Sequence, residues 1–162
     1  MTTLCRELFL AVLLGSAVLM PGFAVPVAAE PEVAGTCAPN AVKFKVADKT
    51  ASTSSEDYVP VGGAKISFTQ AGPGRSCVVV LFAADARSEL LGTLVDVGIF
   101  LDGGLCRGGT FAATQSEFLT TTINAVCPDV RPGSRTIEVK FRASADGVVE
   151  LTNYTTIVHH RQ

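Results

Sequence analysis

Two adjacent histidines, His159 and His160, are the chain's only imidazoles. An imidazole can act as general base for a Ser nucleophile or work beside a carboxylate, which makes a hydrolase centred on either residue the most specific catalytic reading. Successive residues of a strand point to opposite faces, so the pair cannot ligate one ion from regular extended structure. The Gly-x-Ser-x-Gly elbow is absent: Ser76 follows Gly74 and Arg75, but Cys77 and Val78 come next. Both histidines therefore read first as the polar end of a last strand.

Carboxylates are scattered rather than paired, at Asp85, Glu89, Asp96, Asp102 and Glu117. Asp96 lies within an apolar run and faces away from Val95, Val97 and Ile99, towards solvent or a cleft. Asp102, with Asp96 or Asp129, could offer oxygen ligands to calcium, although no Asp-rich loop of the usual register occurs. Residues 102–109 hold four glycines but lack the spacing and the Lys of a phosphate-binding loop. With no Trp in the chain, Tyr58 beside Pro60 is the better candidate for an exposed stacking ring. Nothing in these residues calls for a cofactor or a resident metal.

The remaining chemistry is sulfur. After residue 29 the chain has four cysteines, Cys37, Cys77, Cys106 and Cys127. An even number of thiols behind an export leader implies an oxidising compartment and structural disulfides. No two of them have the two-residue spacing of a redox pair. Of the three possible pairings, Cys106 with Cys127 and Cys37 with Cys77 is favoured. That choice assumes a three-stranded meander over 95–101, 109–113 and 118–126, which would bring Cys106 and Cys127 to one end.

Residues 1–29 read as that leader. Arg6 precedes an apolar run over 8–20, Pro21 and Gly22 end it, and Val27 and Ala29 fit a cut after Ala29. The run falls short of the roughly 20 apolar residues that a spanning helix needs, so no stable membrane insertion is expected after cleavage. Arg6 and Glu7 cancel, so removing the leader leaves the net charge of −2 unchanged. Such a balance gives no electrostatic reason to expect nucleic acid as a partner. The wealth of Ala, Val, Gly and Thr over Lys suggests a bacterial source.

The elements that must position these residues are strands. Apolar and polar residues alternate over 42–46, 64–69 and 137–142, which predicts strands with one buried and one wet face. In this reading Val42, Phe44 and Val46 face the core, and Lys43 and Lys45 face water. Residues 77–84 are apolar on both faces, as in a covered central strand. Further strands are predicted at 95–101, 109–113, 118–126 and 148–158. Residues 47–57 read as a polar surface loop, and 85–92 as room for one helical turn. The pair Asp146-Gly147 predicts a hairpin between the strand at 137–142 and the last strand.

Seven or eight short strands predict an all-β fold with residues 30–162 as one domain. The expected architecture is an antiparallel β-sandwich, jelly-roll-like first and immunoglobulin-like second. Abundant fold signals without a site signal point away from an enzyme. They favour an exported non-catalytic module, periplasmic or extracellular, that binds an unknown protein or surface polymer or has a structural role in the envelope. The strand at 148–158 is the expected edge for partner addition. The alternatives are the secreted hydrolase using His159 or His160, and a small periplasmic inhibitor displaying 47–57 or 102–109.

Overall fold

The computed structural model describes residues 37–106 and 117–162. In chain order the strands are β1 (Ala41–Ala47), β2 (Ala51–Thr53), β3 (Val59–Pro60), β4 (Ile66–Gln70) and β5 (Ser76–Ser88). Then come β6 (Val95–Leu101), β7 (Gly104–Leu105), β8 (Leu119–Val130), β9 (Gly133–Ala143) and β10 (Val149–His160). No helix occurs among the described residues. One sheet runs β1-β10-β5-β8, with β2 continuing the edge beside β10; the other runs β3-β9-β6-β7, with β4 also on β9. Every pairing is antiparallel.

Alternation built the inner faces. Ile137, Val139 and Phe141 on β9, and Val95, Val97 and Ile99 on β6, are buried against Val78, Val80 and Phe82 of β5. Leu151, Tyr154 and Val158 of β10 complete that layer. Side chains of the two inner faces interdigitate, so each strand needs one apolar face. Only β1–β2, β3–β4 and β6–β7 are consecutive strands within one sheet; the other described connections cross between sheets. The result is a jelly-roll-like β-sandwich.

That crossing corrects several expectations. Asp146-Gly147 does not close a hairpin: β9 and β10 belong to different sheets, and the turn carries the chain across. Gly147 has φ 130°, and Thr93 Oγ1 donates to the Asp146 carbonyl at 2.8 Å. Positive φ serves any tight reversal, so an Asp-Gly pair marks a turn without naming the partner strand. The hairpin that does form on such a pair is β6–β7, through Asp102 and Gly103 at φ 48° and 88°.

Nor is the last strand an edge. β10 lies between β1 and β5, and the ends of its sheet are β1 and β8. The stretch 47–57 contains β2, whose Ala51 pairs with Leu151. Instead of a helical turn, 85–92 continues β5 as far as Ser88, because Asp85 to Ser88 have ladder partners on both sides or on β10. The supposed meander does not form: β6 and β8 are in opposite sheets. Its middle strand, 109–113, lies outside the described residues.

Candidate binding surface

Both disulfides form at the margins of the sandwich. Cys37 is bonded to Cys77, with Cα atoms 5.2 Å apart, and ties the lead-in of β1 to the start of β5. Cys106 is bonded to Cys127 at a Cα separation of 4.7 Å, joining the end of the β6–β7 hairpin to β8 across the two sheets. Such crosslinks persist in oxidising surroundings.

Tyr58 and Asp96 come together on the outer face of the β9 sheet. Arg142 brings them there: its Nε and Nη2 donate to Asp96 Oδ2 at 3.0 and 2.8 Å. The same guanidinium lies 4.7 Å over the Tyr58 ring. The Asp96 hydrogen bond raises the Arg142 pKa above its ordinary value, so the group stays cationic. Tyr58 meets Phe100 edge to face at 5.4 Å, and Lys140 stands 4.8 Å over Phe100. Each cation sits on the negative face of a ring, and each ring already has its partner. The cluster is internally satisfied.

Gly98 makes room for it. A methyl group there would come within 2.8 Å of Phe100, 3.1 Å of Tyr58 and 3.2 Å of Leu105. Gly98→Val should therefore displace both rings and cost about 1–3 kcal/mol, as other overpacked sites do. Chemical denaturation checks the cost, and the Tyr58 and Phe100 bands in near-ultraviolet circular dichroism check the displacement. A parent-like midpoint and spectrum would show that the rings do not depend on that glycine.

The other singled-out acid is a turn fastener. Asp102 accepts from the Thr136 amide at 2.9 Å and from Arg135 Nη1 at 3.0 Å, which locks the β6–β7 turn onto β9. Among the described residues, no group of three or more His, Cys, Asp or Glu is placed to hold a metal ion.

His159 and His160 face opposite ways, as two strand neighbours must, and a bulge in β10 decides which goes where. The register with β5 shifts between Thr152 and Thr155, and Asn153 takes φ 49° there. A one-residue slip exchanges the two faces of everything beyond it. Val149 and Leu151 point inward before the bulge; Tyr154, Thr156, Val158 and His160 do so after it. His160 is buried, with its ring 4.9 Å from that of Phe68 and Nδ1 3.3 Å from the Arg161 carbonyl oxygen. The buried Thr156 hydroxyl has no hydrogen-bond partner among the described residues. Neither imidazole reaches a Ser, Asp or Glu side chain there.

Outward from the bulge, the same shift places Ile157 and His159 on the exposed side, beside β1. The β1 side chains reverse the expected orientation. Val42, Phe44 and Val46 are 54%, 72% and 57% exposed. Lys43 and Lys45 instead reach across the sandwich margin, donating to the Ser67 and Lys65 carbonyls at 3.1 and 3.5 Å. Both lysines remain exposed at that margin, with their ammonium groups on backbone acceptors.

Register aligns these residues into rows across the sheet. Val42, His159, Val79 and Val126 make one; Phe44, Ile157, Leu81 and Asn124 the next; Val46, Thr155, Ala83 and Thr122 the third. None of these twelve residues is Asp, Glu, Lys or Arg. Polarity returns at the far end of the sheet, where Asp85 accepts from Thr120 and from Asn153 Nδ2. Those two hydrogen bonds, Thr120 foremost, hold the Asp85 carboxyl below its usual pKa. Arg87 pairs with Glu150 nearby and lies 4.6 Å over the Phe118 ring. The charge-free rows are the candidate surface.

No protein family and no curated protein sequence matches the chain. Among solved structures it is similar to the CBM36-1 domain of a multidomain xylanase from the hindgut metagenome of Trinervitermes trinervoides. That likeness has 17% identity and a TM-score of 0.40 over 72% of this chain and 96% of that one. A second similarity is to dimeric latent PorU from Porphyromonas gingivalis, at 13% identity and a TM-score of 0.42, over 77% of this chain and 14% of that one. Likeness at this level carries nothing about site or partner.

The face was missed by sequence reasoning because its apolar residues are those that alternation assigns to a core. One signal was present: 77–84 is apolar on both sides, yet no other layer covers the side bearing Val79, Leu81 and Ala83 among the described residues.

Proposed function

We propose that the chain is an exported, non-catalytic module, periplasmic or extracellular, that works by docking the outer face of the β1-β10-β5-β8 sheet onto an uncharged, apolar protein face. One observation carries this reading: Val42, Phe44 and Val46 stand open to solvent in three rows of that face that hold no Asp, Glu, Lys or Arg side chain. Exposed apolar surface beyond a few hundred Å² is uncommon on monomers and marks interaction sites. The two disulfides and the leader-like residues 1–29 support export.

Site-specific photo-crosslinking in the native compartment tests the reading. A photoreactive phenylalanine at position 44 should give discrete adducts. The same group at Thr69, exposed on the other sheet, should give none. Equal labelling from both positions, or none from position 44, would remove the face from consideration.

A further inference from the structure

We infer that the occupant of this face is a second copy of the chain, in a reversible dimer related by a two-fold axis; the inference rests on the contact-face reading above. The first argument is that β1 breaks the inside-out rule. β1 turns Val42, Phe44 and Val46 outward and gives its opposite side to two lysines, which stay exposed at the sandwich margin. The paired half of β10 buries Tyr154 and Val158 along with Thr156 and His160, and adds Ile157 to the outward apolar row beside Phe44. Departures of this kind from local preference cluster where a surface has work to do.

The second argument is electrostatic. A partner recruited by charge would find nothing to read on these rows. Two copies of the same face can meet without juxtaposing like charges or burying an unpaired one, the usual penalty in self-association.

Geometry supplies the third. Place the two-fold axis across the strands, along the row Phe44, Ile157, Leu81 and Asn124. Each of these residues then meets its own counterpart, and the two Asn124 amides can exchange hydrogen bonds. The flanking rows trade places, so Val42 lies over Val46 and His159 over Thr155. Such self-complementarity is what an isologous interface requires. Sheets stacked in this way pack about 10 Å apart.

Area sets the strength. Four strands at about 4.8 Å and five residues at about 3.4 Å each give a face of roughly 400 Å² with its margins. A standard stable interface buries about 800 Å² per partner. The dimer is therefore weak and depends on concentration. Pairing through the β1 edge is the competing geometry. Antiparallel pairing about Phe44 would set Lys43 opposite Lys45 of the other copy, and lysines on an edge oppose such pairing.

Sedimentation velocity of the disulfide-bonded mature chain decides the matter. The weight-average mass should rise from monomer towards dimer between about 1 μM and 1 mM, the range expected of a small interface. Phe44→Asp should raise the half-dimerisation concentration at least about tenfold, as losing a central apolar anchor does. Val126→Asp, on the far strand β8, should do likewise, because it disturbs the face and not the β1 edge. Parent-like circular dichroism and melting would show that both variants fold. A parent that stays monomeric to about 1 mM, or a Val126→Asp variant that dimerises like it, would overturn the inference. In the crosslinking experiment, adducts at twice the chain mass support the dimer. Adducts only to other proteins overturn the dimer and leave the contact face standing, whereas no adduct from position 44 sinks both.

Discussion

Ile137→Asp should leave no folded protein to recover. Ile137 is fully buried at the middle of β9, between Leu101 of β6 and Ile66 of β4. An aspartate there meets apolar side chains of both sheets and no cation. Leaving an uncompensated charge in such a place costs about 3–5 kcal/mol or forces protonation. The loss of a packed isoleucine adds to that, against a total stability of about 5–15 kcal/mol for an ordinary domain. Glu138→Ala is the control. Its side chain lies on the outer face of the same strand, 3.4 Å from Lys140 Nζ, where one exposed ion pair is worth at most about 1 kcal/mol. The measurement is the yield of soluble disulfide-bonded protein and its denaturation midpoint. Should Ile137→Asp melt within a few degrees of the parent, β9 would have to face the other way.

Strands of this kind were legible because their alternation is unambiguous. Ile137, Val139 and Phe141 against Glu138, Lys140 and Arg142 leave one choice of buried face, and the structure adopts it. The same holds for Ile66 and Phe68 against Ser67 and Thr69. Strand partners were less legible. Asp146-Gly147 and Gly72-Pro73-Gly74 mark reversals, but whether the chain returns beside the strand it has left or crosses to the other layer is a tertiary choice. Loop closure at such short range costs nearly the same either way.

The candidate face was hidden for a different reason. Alternation reports which residues share a side and leaves unsaid which side meets the core. In β1 the apolar set, Val42, Phe44 and Val46, would ordinarily win that contest. It yields because Lys43 and Lys45 can reach the Ser67 and Lys65 carbonyls, in and just before β4, across the margin of the sandwich. In β10 the obstacle is the bulge. Asn153, a residue tolerant of positive φ, exchanges the faces of all that follows, and a lone Asn in a strand carries no clear mark of doing so. Tyr58 and Asp96 show the converse. Both were singled out separately, and what joins them is Arg142, from a strand more than forty residues away from either.

The disulfides should separate in their effects. In the chain-entropy view a crosslink restricts the unfolded chain more the longer the loop it closes. Separations of 40 residues for Cys37–Cys77 and 21 for Cys106–Cys127 correspond to roughly 4 and roughly 3 kcal/mol. Where the loss is felt differs more than its size. β1 is an edge strand held by the ladder to β10, with its outer side chains in solvent, and Cys37 anchors it to β5. Replacing Cys37 and Cys77 by Ala should therefore speed amide exchange in β1 beyond the global loss of stability, because edge elements open locally first. Replacing Cys106 and Cys127 by Ala removes a bond between the two sheets and should leave β1 exchanging only as fast as the lowered global stability allows. Hydrogen exchange read by mass spectrometry compares the two. If β1 exchanges alike in both variants after correction for stability, the first bridge is not what holds that edge. The same measurement bears on the docking face, since Phe44 can anchor a partner only while β1 stays in register with Ile157.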